Sequence, residues 1–241
     1  KVLDFFPHYF NNNIDARKLD ITVGHLLTMS SGFDREENLN KNANNARNMI
    51  ESIIASDLQF DPGTDFLYST HSTHLLSGII HKVTGETTLQ YLYSELLKPA
   101  GIKSIIWTKD QNDIYFGGAG MFLAPRDMAR FGYLYLNGGR LEGKQIIPEE
   151  WINQSVINHR QYTEEWNEMK EVGYGYLWWT GKLKGYPVYF ASGFGGQWIL
   201  VIPDLDMIIV STMFAFTEKK WEQMASLITV VNDYIIPAVN K

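Results

Sequence analysis

Tyr68-Ser69-Thr70-His71-Ser72-Thr73-His74 sets a run of hydroxyls and two imidazoles in consecutive positions. Three chemistries fit such a run: a metal site, the working end of a hydrolase, or a capped helix start. His71 and His74 are three apart and can share a helix face, with His81 two turns on. No His-Glu-x-x-His pattern, cysteine or obvious carboxylate accompanies them, so they read as packed helical histidines rather than ligands. Ser69, Thr70 and Ser72 precede the apolar-periodic "HLLSGIIHKVTG", where one hydroxyl can satisfy an otherwise unpaired backbone N–H. A cap needs one such residue and leaves Tyr68 unexplained.

The chain holds no Gly-x-Ser-x-Gly elbow, and no lysine has a serine three residues before it. Thr217 with Lys220 comes nearest, and reads as the cap of the last helix. "GGAG" at 117–120 lacks a nucleotide-binding lysine and reads as a tight loop. In "YFASGFGGQWI" a strand runs to Ser192, and Gly193, Gly195 and Gly196 follow. Glycines there let a substrate approach backbone N–H groups along a strand edge, and an ordinary hairpin turn explains them equally well. Trp178 and Trp179 alternate on a strand, one entering the core and the other either lining a cleft or packing structurally.

These residues need positioning elements. "KLDITVGHLLTMSSGFD" predicts a short helix with Thr22 as N-cap, running through Ser30 and stopped by Gly32. "NANNARNMIESIIAS" predicts a second, with Ala46, Met49, Ile50, Ile53 and Ile54 on one face. "FDPGTDF" is a turn leading into Tyr68, and the helix beyond it ends at Gly85. Another helix is closed by Pro99 and Gly101, and "SIIWT" is a short strand. Pro125 and Gly138–Gly139 bracket a further helix, and Pro148 opens the next. The last third changes to strand-like runs, "GYGYLWWT", "YPVYFAS", "GQWILVIPD" and "MIIVSTMF", before a long closing helix that can cover one sheet face. "PDLD" is too short for a parallel crossover, so the last two strands are antiparallel neighbours. Both alternating positions of "WILVI" are apolar, so both sheet faces are expected to be covered.

Composition narrows the classes. At 241 residues the chain fits one large domain, 1–241, with a mostly helical lobe (1–170) and a sheet-plus-helix lobe (171–241). With 21 basic against 27 acidic residues and no basic run, a nucleic-acid surface is disfavoured. No apolar stretch reaches the length of a membrane span. Zero cysteines exclude disulfides, thiolate zinc sites and a cysteine nucleophile, and leave the compartment open.

In order and spacing, "ITVGHLLTMSSGFD", "FDPGTDFLYSTHSTHLLSGIIHKVTGETTLQYLYSELLKPAGI", "GGAGMFLAPRDMARFGYLYLNGGR" and "GYGYLWW…YFASGFGGQWILVIPDLDMIIVST" resemble the serine beta-lactamase and penicillin-binding-protein superfamily. The closer likeness is to its class C-like hydrolases and esterases. The resemblance implies an α+β fold, an antiparallel sheet flanked by helices beside a mostly helical lobe, with a cleft between. It also implies that this chain lacks the N-terminal strands and the nucleophile helix. The Ser-x-x-Lys element is then expected upstream of Lys1, and the last strand becomes an exposed edge open to self-association.

Carried over, the family's second motif falls on Tyr68-Ser69-Thr70 and its third on Ala191-Ser192-Gly193. The resemblance makes Tyr68 the acid–base residue, a role that requires a nearby cation to lower a phenol pKa from about 10. It gives Thr70 and the Ser192 hydroxyl a place against the substrate, and Gly193 and Phe194 the oxyanion side, Phe194 N–H being the likelier donor of the two. One such donor contributes roughly 2.7–4 kcal/mol to a transition state. Thr70 stands where the family has asparagine, and Ala191 where it has Lys or His. Both changes favour less anionic ester or amide substrates over penicillins. The expected partner is a small acyl or peptide-like molecule, with no cofactor and no metal. Two rivals remain open: a non-catalytic ligand-binding module and a decayed paralogue.

Overall fold

A computed structural model describes residues 1–9, 14–34, 48–103, 105–164, 166 and 168–239. The fold is α+β, and the backbone forms two compact units, Lys1–Phe122 and Leu123–Lys241.

In the first unit the short helix α1 spans Val23–Leu27. Thr22 caps it as its sequence predicts, Oγ1 accepting from His25 N–H at 3.1 Å while His25 Nδ1 accepts from Thr22 N–H at 3.4 Å. The helix ends before Ser30, because Met29 turns left-handed (φ 53°) while wholly buried. Gly32 does a different job from the predicted stop. A Cβ there would lie 2.5 Å from Phe60 O, and Gln59 N–H donates to Gly32 O at 2.8 Å. Helix α2 spans Met49–Ala55, with the Asn48 side chain accepting from Glu51 N–H. Ala46, placed on the same face by the sequence, lies outside the described residues.

Helix α3 runs Thr70–Thr84 and stops at Gly85 (φ 73°), as predicted. Its buried side joins Leu75 and Ile79 to Val2, Phe6, Ile21, Leu26, Ile50, Ile53 and Ile54. Gly78 lets α2 close in, since a Cβ there would meet Ile50 Cδ1 at 2.5 Å. Helix α4, Thr88–Leu92, continues as a wider turn over Tyr93–Leu97. Strand β1 (Ile106–Trp107) then pairs antiparallel with β2 (Met121–Phe122), closing an irregular hairpin.

The second unit holds helix α5, Pro125–Leu136, with proline in its first turn and Gly138 (φ 57°) and Gly139 (φ 81°) after it, as the sequence requires. A small hairpin, β3 (Arg140–Leu141) and β4 (Lys144–Gln145), leads to α6, Glu149–Ser155. The sheet comprises β5 (Arg160–Gln161), β6 (Lys170–Tyr174), β7 (Trp179–Leu183), β8 (Tyr186–Gly193), β9 (Gln197–Ile202) and β10 (Met207–Ser211). Its order is β10-β9-β8-β7-β6-β5, antiparallel throughout. Helices α5 and α6, assigned to the helical lobe by the sequence boundary at 170, belong with this sheet.

The reason is packing. Tyr135 of α5 and Ile152 of α6 share one apolar cluster with Trp178, Tyr189, Ile199 and Val201. Gly132 brings α5 within a Cβ's reach of Ile199 and Ile208, at 2.9 Å from each. The opposite face carries rings: Phe190 stacks on Trp198 (centroids 4.8 Å apart), and Trp166 stands edge-on to Trp179 (4.5 Å). Such pairs add about 0.5–1.5 kcal/mol each beyond their burial. Strand β9 is buried on both faces, as "WILVI" predicts. The closing helix α7, Lys220–Val230, runs through a wide turn at Val231–Ile235 into α8, Ile236–Val239, and buries Leu227, Ile228, Val231 and Ile236.

Candidate active site

Tyr68 is delivered by a segment pinned along residues 29–34. Gly63 N–H donates to Ser30 O (2.7 Å), and Leu67 N–H donates to Met29 O (2.9 Å). Ser69 occupies the N-cap position of α3, but its hydroxyl makes no capping bond there and reaches Asp34 O at 3.3 Å. Ser72 meets the Ser31 hydroxyl at 2.9 Å. So the hydroxyls at Ser69 and Ser72, expected as caps, tie α3 to the preceding strand-like segment instead. Tyr68 stays 37% exposed at the mouth of the helix, accessible to a reacting molecule.

The two histidines hold different partners. His71 Nδ1 sits 3.2 Å from Asp34 O, which only accepts, so that nitrogen carries the hydrogen. His74 Nε2 lies 3.3 Å from Asp110 Oδ2, with both side chains buried. Burial pushes the pKa of both histidines down, and for His74 it outweighs the attraction of Asp110. Neutral His74 therefore donates from Nε2 to the carboxylate. Asp110 Oδ1 also accepts the N–H groups of Asn112 (2.8 Å) and Ile114 (3.0 Å), so one side chain binds its own turn and α3 together. The sequence reading missed Asp110: an aspartate opening a turn is legible, but its distant partner is not.

Gly117 and Gly118 lie flat against the first turn of α3. A Cβ on Gly117 would sit 1.9 Å from Thr73 O, and one on Gly118 would sit 2.5 Å from Thr73 Oγ1 and 2.8 Å from Thr70 Cβ. These glycines serve close packing beneath Thr70, consistent with a tight loop rather than a phosphate cradle.

In the sheet unit, β7 pairs with β8 only as far as Phe190, opposite Trp179. Among the described residues, Ala191, Ser192 and Gly193 pair on the β9 side alone, with Ile199, Trp198 and Gln197. Phe194, Gly195 (φ 75°) and Gly196 (φ 94°) make the hairpin loop, Gly196 N–H donating to Gly193 O at 3.3 Å. The hairpin reading of "SGFGG" holds for Gly195 and Gly196, which turn the chain, while Ser192 and Gly193 lie in the last paired positions of β8. The Ala191 methyl packs into the Tyr189–Ile199 cluster under α5, where the family motif carries a cation. Trp178 precedes β7, within the turn that splits "GYGYLWWT" into two strands, and contacts Tyr135. Trp179 faces the ring cluster on the other side. Both are buried, so neither lines a cleft.

The family description "Beta-lactamase" matches residues 6–229. The chain belongs to the beta-lactamase family. It is 31% identical over 166 residues to the 6-aminohexanoate-dimer hydrolase of Paenarthrobacter ureafaciens, covering 64% of this chain and 40% of that protein. It is 34% identical over 101 residues to Protein flp of Staphylococcus aureus, covering 40% of this chain and 20% of the relative. The chain thus spans less than half the length of either relative. Among solved structures, a putative 6-aminohexanoate-dimer hydrolase from Bacillus anthracis superposes with a TM-score of 0.78 at 19% identity, over all of this chain and 66% of that one. The octameric penicillin-binding protein homologue from Pyrococcus abyssi gives 0.67 at 19% identity, over 98% and 62%. These likenesses carry the beta-lactamase and penicillin-binding-protein fold across both units.

Proposed function

We propose that the chain is the tyrosine- and sheet-motif part of a serine hydrolase that cleaves uncharged esters or amides through an acyl-enzyme. The observation that carries the reading is the end of β8. Beyond Phe190 no described residue pairs with the β7 side of the strand, and a scissile carbonyl can lie along such an edge. The 241 residues contain no Ser-x-x-Lys, so the reading assigns the nucleophile to such an element outside them.

The steps balance as ordinary acyl transfer. The serine Oγ attacks the carbonyl carbon while its proton passes to Tyr68 in its phenolate form, which the lysine of the Ser-x-x-Lys element would stabilise. The oxyanion takes the Phe194 N–H, and Tyr68 then returns the proton to the leaving alcohol or amine. Water repeats the sequence on the ester intermediate. Thr70 and Ser192 offer hydroxyls to the rest of the substrate. The names of relatives that hydrolyse the 6-aminohexanoate dimer support an amide or ester as the bond broken. We take the two units as lobes of one domain, and β10 as an edge through which copies of the chain associate.

A second reading draws on Ala191. Its apolar seat removes the cation that the motif normally supplies, as a module that binds acyl ligands without turning them over would tolerate. A fluorophosphonate probe separates the two: the hydrolase labels on a single serine, and a binding module does not label.

A further inference from the structure

His74 and Asp110 form a buried polar pair that the acyl-transfer steps leave unused. The side chain of His74 is 1% exposed and that of Asp110 6%. The loop that carries Asp110 is braced from within. Trp107 Nε1 donates to Phe116 O at 2.9 Å and to Ala119 O at 3.2 Å, and Phe116 N–H donates to Thr108 O at 3.1 Å. The Phe116 ring lies 5.6 Å from the imidazole of His74, centroid to centroid. Residues 107–120 thus make a shelf, which meets the head of α3 where Gly117 and Gly118 press on Thr73 and Thr70. Thr73 Oγ1 donates in turn to Thr70 O at 2.7 Å. The bond from His74 to Asp110 therefore sets the height at which the shelf meets Thr70. His74 Nδ1 is buried and finds no hydrogen-bond partner among the described residues. The imidazole serves the shelf through Nε2, and a second proton at Nδ1 would have no acceptor.

We infer that His74 and Asp110 are positioning residues for the proposed hydrolysis: they hold the 107–120 shelf beneath Thr70, so that its hydroxyl stands where a bound substrate meets it. The inference rests on the hydrolase reading, which gives Thr70 its place against the substrate. Small displacements matter there, since an error of about 1 Å in a positioned group can cost about 10²-fold in rate. A leucine would fill the space of this imidazole without desolvating a carboxylate. A directional bond fixes the register of loop against helix, which apolar packing leaves looser.

The test is a double-mutant cycle on kcat/KM for p-nitrophenyl acetate with the full-length protein, using Thr70→Ala, His74→Leu and the two together. Each single variant should lose about tenfold. Beside Thr70→Ala, His74→Leu should lose less than about twofold further, because the shelf then has no hydroxyl to position. His74→Gln, whose amide can still donate to Asp110, should recover most of the loss. Equal losses in both backgrounds mark a merely stabilising role and overturn the inference, as does full activity in either single variant. If His74→Leu does not fold, Asp110→Asn takes its place in the cycle, since it keeps an oxygen for the turn N–H groups.

If no ester is turned over, the hydrolase reading fails separately, and the hold on the shelf is read by amide hydrogen exchange over residues 107–120. Burial keeps the paired His74 neutral against the attraction of Asp110, the charged group that faces it from the loop, and His71 on α3 itself feels its charge. Once the shelf opens, the imidazole takes up a proton below pH 6.5. Opening, corrected for intrinsic exchange, should then rise about threefold or more between pH 7.5 and about 5.5, and stay level in His74→Gln. Exchange that does not change with pH in the unaltered protein overturns the inference.

Discussion

Tyr68 combines exposure with a fixed backbone, which suits a group that must exchange protons without moving its chain. Tyr68→Phe keeps the ring of this 37% exposed side chain and removes only its hydroxyl, so the melting temperature should fall by no more than a few degrees, on the order of 1 kcal/mol. Loss of a positioned acid–base group typically costs a factor of about 10²–10⁴ in rate. The neighbouring histidines make a different prediction. Both are buried with lowered pKa values, whereas the unfolded chain binds their protons near pH 6.5. Below that pH the unfolded state takes up more protons, so their contribution to stability is full above pH 6.5 and is lost as the pH falls. Thermal unfolding between pH 7.5 and about 5.5 should show a falling melting temperature, shallower in His74→Asn. A slope unchanged by that substitution would contradict the assignment. Removing Asp110 leaves the His74 donor and two turn N–H groups unpaired, so Asp110→Ala should cost about 2–3 kcal/mol in denaturant unfolding.

At the scale of elements, two glycines set the height of the loop beneath the head of α3. Gly117→Ala drives a methyl into Thr73 O and should destabilise by more than about 2 kcal/mol, shifting the first turn that carries Thr70. Gly24→Ala in α1 is the contrast. Its Cβ finds only Thr22 Oγ1, at 3.6 Å, and should be neutral or stabilising by up to about 1 kcal/mol. Urea unfolding of the pair reads the difference directly. Strand β10 ends the sheet with half-buried apolar residues, and an edge of that kind invites pairing. Light scattering of this chain at tens of micromolar should report species larger than a monomer; a monodisperse monomer would count against the edge reading.

Over the whole molecule, local chemistry was what the sequence displayed best. Thr22 caps its own first turn through its hydroxyl, Gly85, Pro125 and Gly138–Gly139 act through their own backbone, and each stands where its residue type predicts. The short "PDLD" link forced antiparallel β9 and β10, and the motif order gave the family. Long-range partners were hidden. Nothing near Asp110 announces His74, nothing near Gly117 announces Thr73, and the apolar stripe of α5 does not say that it packs on a sheet. The first helix stopped early for the same reason, since Met29 adopts left-handed backbone where Leu67 and Ser69, distant in sequence, direct their N–H groups at it. Charge also acts at this scale. With an alanine at 191 where the motif carries a cation, the full-length protein should turn over anionic nitrocefin far more slowly than neutral p-nitrophenyl acetate. Turnover of nitrocefin at the rate of a resistance enzyme would refute the substrate class.

The proposed hydrolase needs a phenol, Tyr68, that moves a proton during serine acylation. Its most direct test is the rate at which a fluorophosphonate adds to the full-length protein, followed by intact-mass spectrometry in the unaltered enzyme and in Tyr68→Phe. The expected result is one adduct on one serine, formed about 10²-fold or more slowly in the variant while its melting temperature falls by no more than a few degrees. Equal rates in the two proteins, or no adduct in either, would contradict it.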